Sequence, residues 1–122
     1  MATLLLVEDN PNQRILYQQE LENEGHLVVV VETVYEALSV LHRENVDVMV
    51  LDLAVPRLED GLNLLEKAFA QFPQVRVIIH TGYDPSAAGR ASEYASGYVV
   101  KSSDLRYLKR KIEAVLGQEG SR

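Results

Sequence analysis

Five polar side chains stand at the ends of otherwise apolar runs, at points where chemistry can be done: Glu8 and Asp9, Asp52, Thr81 and Lys101. Three carboxylates gathered in one place repel each other, and one of them holds its proton at neutral pH unless a cation compensates. A hard divalent cation does so, because one or two carboxylates, a backbone carbonyl and several waters are the usual surroundings of Mg2+. Lys101 adds a positive charge and Thr81 a hydroxyl donor. Together they suit an anion with several equatorial oxygens, namely a phosphoryl group in transfer. Asp52 is then the nucleophile, since a carboxylate can carry a covalent intermediate, here an aspartyl phosphate.

For these residues to meet, the elements that carry them must end at one edge. Thr3 to Val7, Leu27 to Val31, Val48 to Leu51 and Gly97 to Val100 are largely apolar runs that read as buried strands, and Val75 to Ile79, broken by Arg76, reads as a strand as well. Helical signals lie between them. Asn10-Pro11 caps a helix over about 11–24, Thr33-x-x-Glu36 is a capping box, and Asp60-Gly61 opens a third helix stopped by Pro73. In that third helix Leu65, Ala68, Phe69 and Phe72 repeat at core spacing, whereas in the first only one of Leu16 and Leu21 can face inward. Asp84-Pro85 starts a short, weak fourth helix, and Ser103 caps a last one carrying Leu105, Leu108, Ile112 and Val115. Alternating strands and helices predict a doubly wound α/β sheet of five parallel strands, order 2-1-3-4-5, with five helices on both faces. Its working crevice lies at the carboxyl ends of the strands, where all five polar residues fall.

Composition sets the bounds. At 122 residues the chain reads as one domain, residues 1–118, with a polar tail over 119–122. With no cysteine, thiol catalysis and thiolate metal sites are excluded, and a reducing cytoplasm is the expected location. No apolar run approaches a spanning helix, so no membrane partner is expected. Twelve basic against eighteen acidic residues give a net charge of -6, which argues against direct nucleic-acid binding.

Taken singly, each polar residue has an ordinary role. Glu8 and Asp9 can be loop acids or caps, Asp52 a helix-approach acid, Thr81 a strand end and Lys101 a solvated lysine. Their joint placement on one sheet edge is what favours chemistry. His26, His42 and His80 show no ligand spacing.

At this point the chain resembles the receiver domain of two-component response regulators, of the single-domain chemotaxis type, over residues 3 to 117. The resemblance rests on Glu8-Asp9 with Asn10-Pro11, on Asp52 to Pro56 followed by Asp60-Gly61, on Thr81-Gly82, and on Gly97 to Lys101. It implies that Asp52 is the phosphoacceptor and that Asp9, Asp52 and the backbone carbonyl of Ala54 hold Mg2+, with Glu8 helping through water. It further implies that Lys101 contacts the phosphoryl group, that Thr81 is drawn toward it, and that Tyr98 swings inward as a switch. The donor is expected to be a sensor histidine kinase or a histidine phosphotransfer protein. The expected readout is a protein partner on the face of the fourth helix, fifth strand and last helix, by a monomer or weak dimer that catalyses only its own modification. On the last helix, Arg106, Lys109, Arg110 and Lys111 read as a solvated basic face, with docking to an acidic partner as the alternative.

The chain departs from the family pattern in four places. Ser102 stands where a cis proline usually follows the lysine, and a non-proline cis bond costs roughly 2.5 to 4 kcal/mol, so a trans Lys101-Ser102 bond is expected. One extra residue between Pro56 and Gly61 predicts an altered path for Arg57-Leu58-Glu59. Ala54 and Tyr83 flank the phosphoryl site, and Tyr83 is expected to restrict water and slow hydrolysis of the aspartyl phosphate.

Rival readings are a phosphorylation-independent interaction module on the same fold, and a phosphatase of the haloacid dehalogenase type. The second needs an Asp-x-Asp pattern after the first strand, which Glu8-Asp9-Asn10 does not supply. A flavodoxin is disfavoured because that loop is acidic and lacks phosphate donors. With only a short tail after Leu116, the chain is expected to be either a stand-alone messenger or shuttle, or a receiver cut from a longer protein.

Overall fold

Two apolar layers, one on each side of a parallel sheet, account for the uninterrupted apolar strands. The computed structural model describes residues 2–82 and 89–117. Its strands are β1 (Thr3–Val7), β2 (Leu27–Val31), β3 (Val48–Leu51), β4 (Arg76–Thr81) and β5 (Gly97–Val100). They pair in the order β2-β1-β3-β4-β5, every neighbour parallel. The order is that expected from the sequence. The α-helices among the described residues are α1 (Pro11–Asn23), α2 (Val34–Arg43), α3 (Leu58–Gln71) and α4 (Arg106–Leu116).

Side chains alternate between the faces with the strand period of two. Leu5, Val7, Met49, Leu51, Val77 and Ile79 meet α2 and α3 through Ala37, Val40, Leu41, Leu64, Leu65 and Ala68. Leu4, Leu6, Val48, Val50 and Ile78 meet α1 and α4 through Tyr17, Leu21, Leu108, Ile112 and Val115. The central strands β1, β3 and β4 therefore bury side chains on both faces, which is why the sequence shows runs and not alternation, whereas the edge strands leave Leu27 and Val100 exposed.

Helix starts follow their caps. The Asn10 side chain accepts from the backbone N–H groups of Asn12 and Gln13 at 3.0 and 3.1 Å, with Pro11 in the first turn. At the Thr33–Glu36 box Glu36 N–H donates to Thr33 Oγ1 at 3.1 Å, while the Glu36 carboxylate accepts from the Thr33 hydroxyl at 3.1 Å and from Glu32 N–H, one residue before the cap, at 3.3 Å. On α1, Leu21 is buried while Ile15 and Leu16 are exposed.

Four expected elements differ, the first being the fourth strand, which runs from Arg76 to Thr81 and not from Val75 to Ile79, so that Thr81 is its last residue. The fourth connection carries a 3-10 turn, Gly89–Tyr94, instead of an α-helix over its described part, and the Asp84-Pro85 start lies outside the described residues, as does Tyr83. The last helix begins at Arg106 and not after Ser103, because Asp104 ties down its approach. The Asp104 carboxylate accepts from Arg106 N–H at 3.0 Å, and Asp104 N–H donates to Ser102 Oγ at 3.2 Å. In α3, Phe69 is 38% exposed and stacks edge-on with Tyr94 at 5.2 Å, so Leu64 takes the core place expected of it. The third helix begins at Leu58, two residues before the Asp60 start expected of it, so Leu58 and Glu59 lie in its first turn.

Candidate functional site at the carboxyl edge of the sheet

The strand ladder itself carries the polar residues to one edge. Just beyond its last paired positions, Glu8 N–H donates to the Val31 carbonyl at 3.1 Å, Asp52 N–H to the Val7 carbonyl at 3.2 Å, and Lys101 N–H to the Thr81 carbonyl at 2.8 Å. Backbone bonds of sheet type thus set the first residue after each strand against its neighbour. Glu8, Asp9 and Asp52 each offer a carboxylate oxygen within 4.8 Å of the others, Glu8 and Asp52 being buried and Asp9 exposed.

Lys101 closes the group. Its ammonium donates to Glu8 Oε1 at 2.7 Å, to Asp52 Oδ2 at 2.9 Å and to Gln13 Oε1 at 2.7 Å. The side chains of Glu8 and Asp52 are 2% and 10% exposed, so these ion pairs sit in a poorly screened setting. Burial pushes the Glu8 carboxyl above its ordinary range, and the hydrogen bond from Lys101 offsets this only in part. Burial alone would lower the Lys101 ammonium, but its bonds to Glu8 and Asp52 outweigh that and hold it above the usual lysine value. The other oxygen of Asp52, Oδ1, accepts from the Ala54 N–H at 3.1 Å, which fixes the carboxylate at both ends.

Thr81 lies beside this group at the end of β4 and is 1% exposed, its Oγ1 buried with no hydrogen-bond partner among the described residues. A buried hydroxyl without a partner is uncommon and leaves one more hydrogen bond to be made. Its neighbour His80 is buried against Tyr17, ring centroids 5.1 Å apart, and burial pushes the imidazole down to about 4. Tyr98, paired in register with Ile79, is half-buried against the α2 and α3 layer.

All five residues singled out by chemistry are thereby brought to one edge, with Ala54 beside Asp52. The Lys101-Ser102 bond is trans, as expected, and the cis bond among the described residues is Val55-Pro56. Gln13 and Arg14 carried no signal in the sequence, for they are ordinary residues of the first turn of α1. Arg14 Nη1 donates to the Asp9 carbonyl at 3.1 Å and pairs with Glu32 at 3.5 Å, holding the acidic loop to the end of β2.

The basic helix face is less free than its sequence implies. Arg106 pairs with Asp104 at 2.7 Å, Lys109 with Glu20 at 2.8 Å, and Arg110 lies 5.8 Å above the Tyr107 ring. Beside it runs a groove of about 610 Å³ lined in part by Tyr98, Val100, Tyr107, Arg110 and Lys111. No helix among the described residues is long and apolar enough to cross a membrane.

Comparison with known proteins places this geometry. The profile of the response regulator receiver domain matches residues 4–113. The transcriptional regulatory protein GlrR of Escherichia coli (strain K12) is 34% identical over 119 residues, which cover 96% of this chain and 27% of that protein. The chain therefore spans about a quarter of that relative's length. Sporulation initiation phosphotransferase F of Bacillus subtilis (strain 168) is 30% identical over 80 residues, 66% of this chain and 64% of that protein. Among solved structures, the response regulator TrrA of Thermotoga maritima in complex with Mg(2+)-BeF superposes with a TM-score of 0.84 at 32% identity, over 94% of this chain and 99% of that one. TrrA in complex with the histidine kinase ThkA superposes with a TM-score of 0.87 at 31% identity, over 96% and 100% of the two chains. By the family profile, by its relatives and by its fold, the chain belongs to the response regulator receiver domain family.

Proposed function

We propose that this receiver takes a phosphoryl group onto Asp52 from the phosphohistidine of a sensor kinase or of a histidine phosphotransfer protein. A carboxylate oxygen of Asp52 attacks phosphorus, the O–P bond forms as the P–N bond breaks, and the departing imidazole keeps the electron pair and takes up a proton. The observation that carries this reading is the buried Asp52 carboxylate, fixed by Ala54 N–H on one oxygen and by the Lys101 ammonium on the other. It is supported by the similarity to phosphotransferase F and to a regulator solved with its kinase.

The donor set fits Mg2+, because Glu8, Asp9 and Asp52 offer hard oxygen atoms that converge within 4.8 Å. Asp9, Asp52 and the Ala54 carbonyl would hold it, with Glu8 acting through water. When bound, the ion supplies positive charge to the transferring phosphoryl oxygens. The residues of the chain do the rest. Lys101 holds a second phosphoryl oxygen, and the unpartnered Thr81 hydroxyl donates to a third, which draws the segment after β4 toward Asp52. Tyr98 then moves inward, and the β5 and α4 face carries the change to a protein partner. The chain catalyses only its own modification.

Titration with beryllium fluoride and Mg2+, whose trifluoride mimics a phosphoryl group, tests this on the folded protein. The amide NMR signals of Thr81, Tyr98 and Lys101 are expected to shift in the native chain and to stay in place in Asp52→Asn. Equal shifts in both would place the anion elsewhere.

A further inference from the structure

The Lys101 ammonium has three hydrogens and three acceptors, and the third acceptor is the side-chain carbonyl of Gln13, 2.7 Å away on α1 and 88 positions distant in sequence. Nothing in the reaction chemistry asks for a glutamine there. Its role follows from comparing the three acceptors over the course of phosphoryl transfer, and it rests on the reading of Asp52 as acceptor and Lys101 as phosphoryl contact.

Asp52 Oδ2 is a carboxylate oxygen, 2.9 Å from Nζ, and becomes a poorer acceptor once Asp52 is phosphorylated, because the carboxylate charge is lost as the acyl phosphate forms and the negative charge lies on the phosphoryl oxygens. The hydrogen that Lys101 directs at Asp52 therefore turns to a phosphoryl oxygen as the reaction proceeds. Glu8 Oε1 holds a second hydrogen at 2.7 Å, but Glu8 belongs to the acidic set that a cation also claims. Gln13 Oε1 is neutral, has no part in that set, and keeps its acceptor strength throughout. A hydrogen bond from a charged donor is moreover stronger than one between neutral groups.

Gln13 is itself held. It lies in the first turn of α1, where its backbone N–H donates to the Asn10 cap at 3.1 Å, and its side chain is half-buried. The carbonyl is thus presented from a fixed turn and not from a free surface rotamer. We infer that Gln13 is a positioning residue: it anchors the Lys101 ammonium through phosphoryl transfer, leaving the Asp52-directed hydrogen free to follow the phosphoryl group. The anchor also ties the start of α1 to the end of β5, two elements that are not sheet neighbours.

The test uses the full chain and three forms: native, Gln13→Leu, which keeps the size and removes the acceptor, and Gln13→Glu, which keeps an acceptor. The first readout is hydrogen exchange of the Lys101 ammonium by 15N NMR. The anchor predicts exchange about tenfold faster in Gln13→Leu than in the native chain, and protection restored in Gln13→Glu. The second is the rate of Asp52 phosphorylation against acetyl phosphate concentration with excess Mg2+. Gln13→Leu is expected to lower the saturating rate about tenfold while the half-saturating concentration stays within about twofold, since a misplaced ammonium affects transfer and not donor capture. Unchanged ammonium exchange, or a saturating rate within twofold of native, would overturn the role of Gln13 alone. A native chain that gains no phosphoryl group would overturn the functional reading and the role together.

Discussion

Lys101 Nζ lies 2.9 Å from Asp52 Oδ2, although 49 positions and two strands separate them in the chain. The contact ties the ends of β3 and β5 across the intervening end of β4, where Thr81 sits. The same ammonium reaches Glu8 at the end of β1. One cation thus pairs with two buried carboxylates and offsets half of their charge, and the site is also an electrostatic joint of the fold. Removing it should have consequences for both chemistry and stability.

Lys101→Met keeps the stem and deletes the charge. It leaves Glu8 and Asp52 buried without compensation, which costs about 3 kcal/mol of unfolding free energy at pH 7. Urea unfolding measures this. Added Mg2+ should recover part of the loss in Lys101→Met and do less for the native chain, because the carboxylates then gain the charge that they lack. A variant as stable as the native chain without Mg2+ would mean that the ion pairs are stability-neutral.

Thr81→Val is expected to separate function from stability. The hydroxyl is buried with no partner among the described residues, so replacing it with an isosteric methyl should leave the protein as stable or about 1 kcal/mol more stable. The variant should still be phosphorylated but should lose the shift of the Tyr98 amide signal that accompanies it. Thermal unfolding and NMR of one sample read both quantities.

Gly61 is placed by a close approach. A Cβ there would clash with the Leu53 carbonyl oxygen and stand 2.5 Å from its carbon, both backbone atoms that cannot turn aside. Gly61→Ala should therefore push α3 away from the segment that follows Asp52, lower stability by about 3 kcal/mol, and reduce the phosphorylation rate by displacing Ala54. Stability and rate should fall together in this variant, in contrast to Thr81→Val.

His80 makes stability depend on pH with a defined sign. Burial holds it neutral down to about 4 in the folded chain, against about 6.5 when unfolded. Below pH 6.5 the unfolded chain binds the proton first, so stability falls as pH drops and the loss is complete near pH 4. Between pH 6.5 and 5 this amounts to about 2 kcal/mol. Lys101 and Asp52 bear on the same imidazole with opposite signs, so the comparison is between the native chain and His80→Phe over that interval. The variant should lose about 2 kcal/mol less.

How much of this was legible in the sequence varies with the physical signal. Strands covered on both faces leave unbroken apolar runs, so Thr3–Val7 is bounded to the residue, and Leu27–Val31 is bounded as well by its β-branched run although it is an edge strand with Leu27 exposed. Asp52, Lys101 and Thr81 were visible because a polar group ending such a run stands out. The Asp60-Gly61 pair was visible as a motif, and the contact with Leu53 gives its reason. Where signals competed, the reading slipped. Ser103 caps helices by type, but the helix begins at Arg106, with Leu105 at its cap position and the Asp104 carboxylate taking the Arg106 N–H. Phe69 sits at core spacing but on the edge of the apolar stripe, where Tyr94 covers it. Gln13 was invisible, because a half-buried glutamine on a helix has no periodicity, and its meaning comes from a partner 88 positions away.

The central claim is that Asp52 accepts a phosphoryl group with Mg2+. The most direct measurement is intact mass after incubation with acetyl phosphate, with and without Mg2+, for the native chain and Asp52→Asn. The account predicts one phosphoryl adduct in the native chain, dependent on Mg2+ and absent from Asp52→Asn. A folded native chain that gains no adduct with Mg2+ in excess, or an adduct that survives in Asp52→Asn, would contradict it.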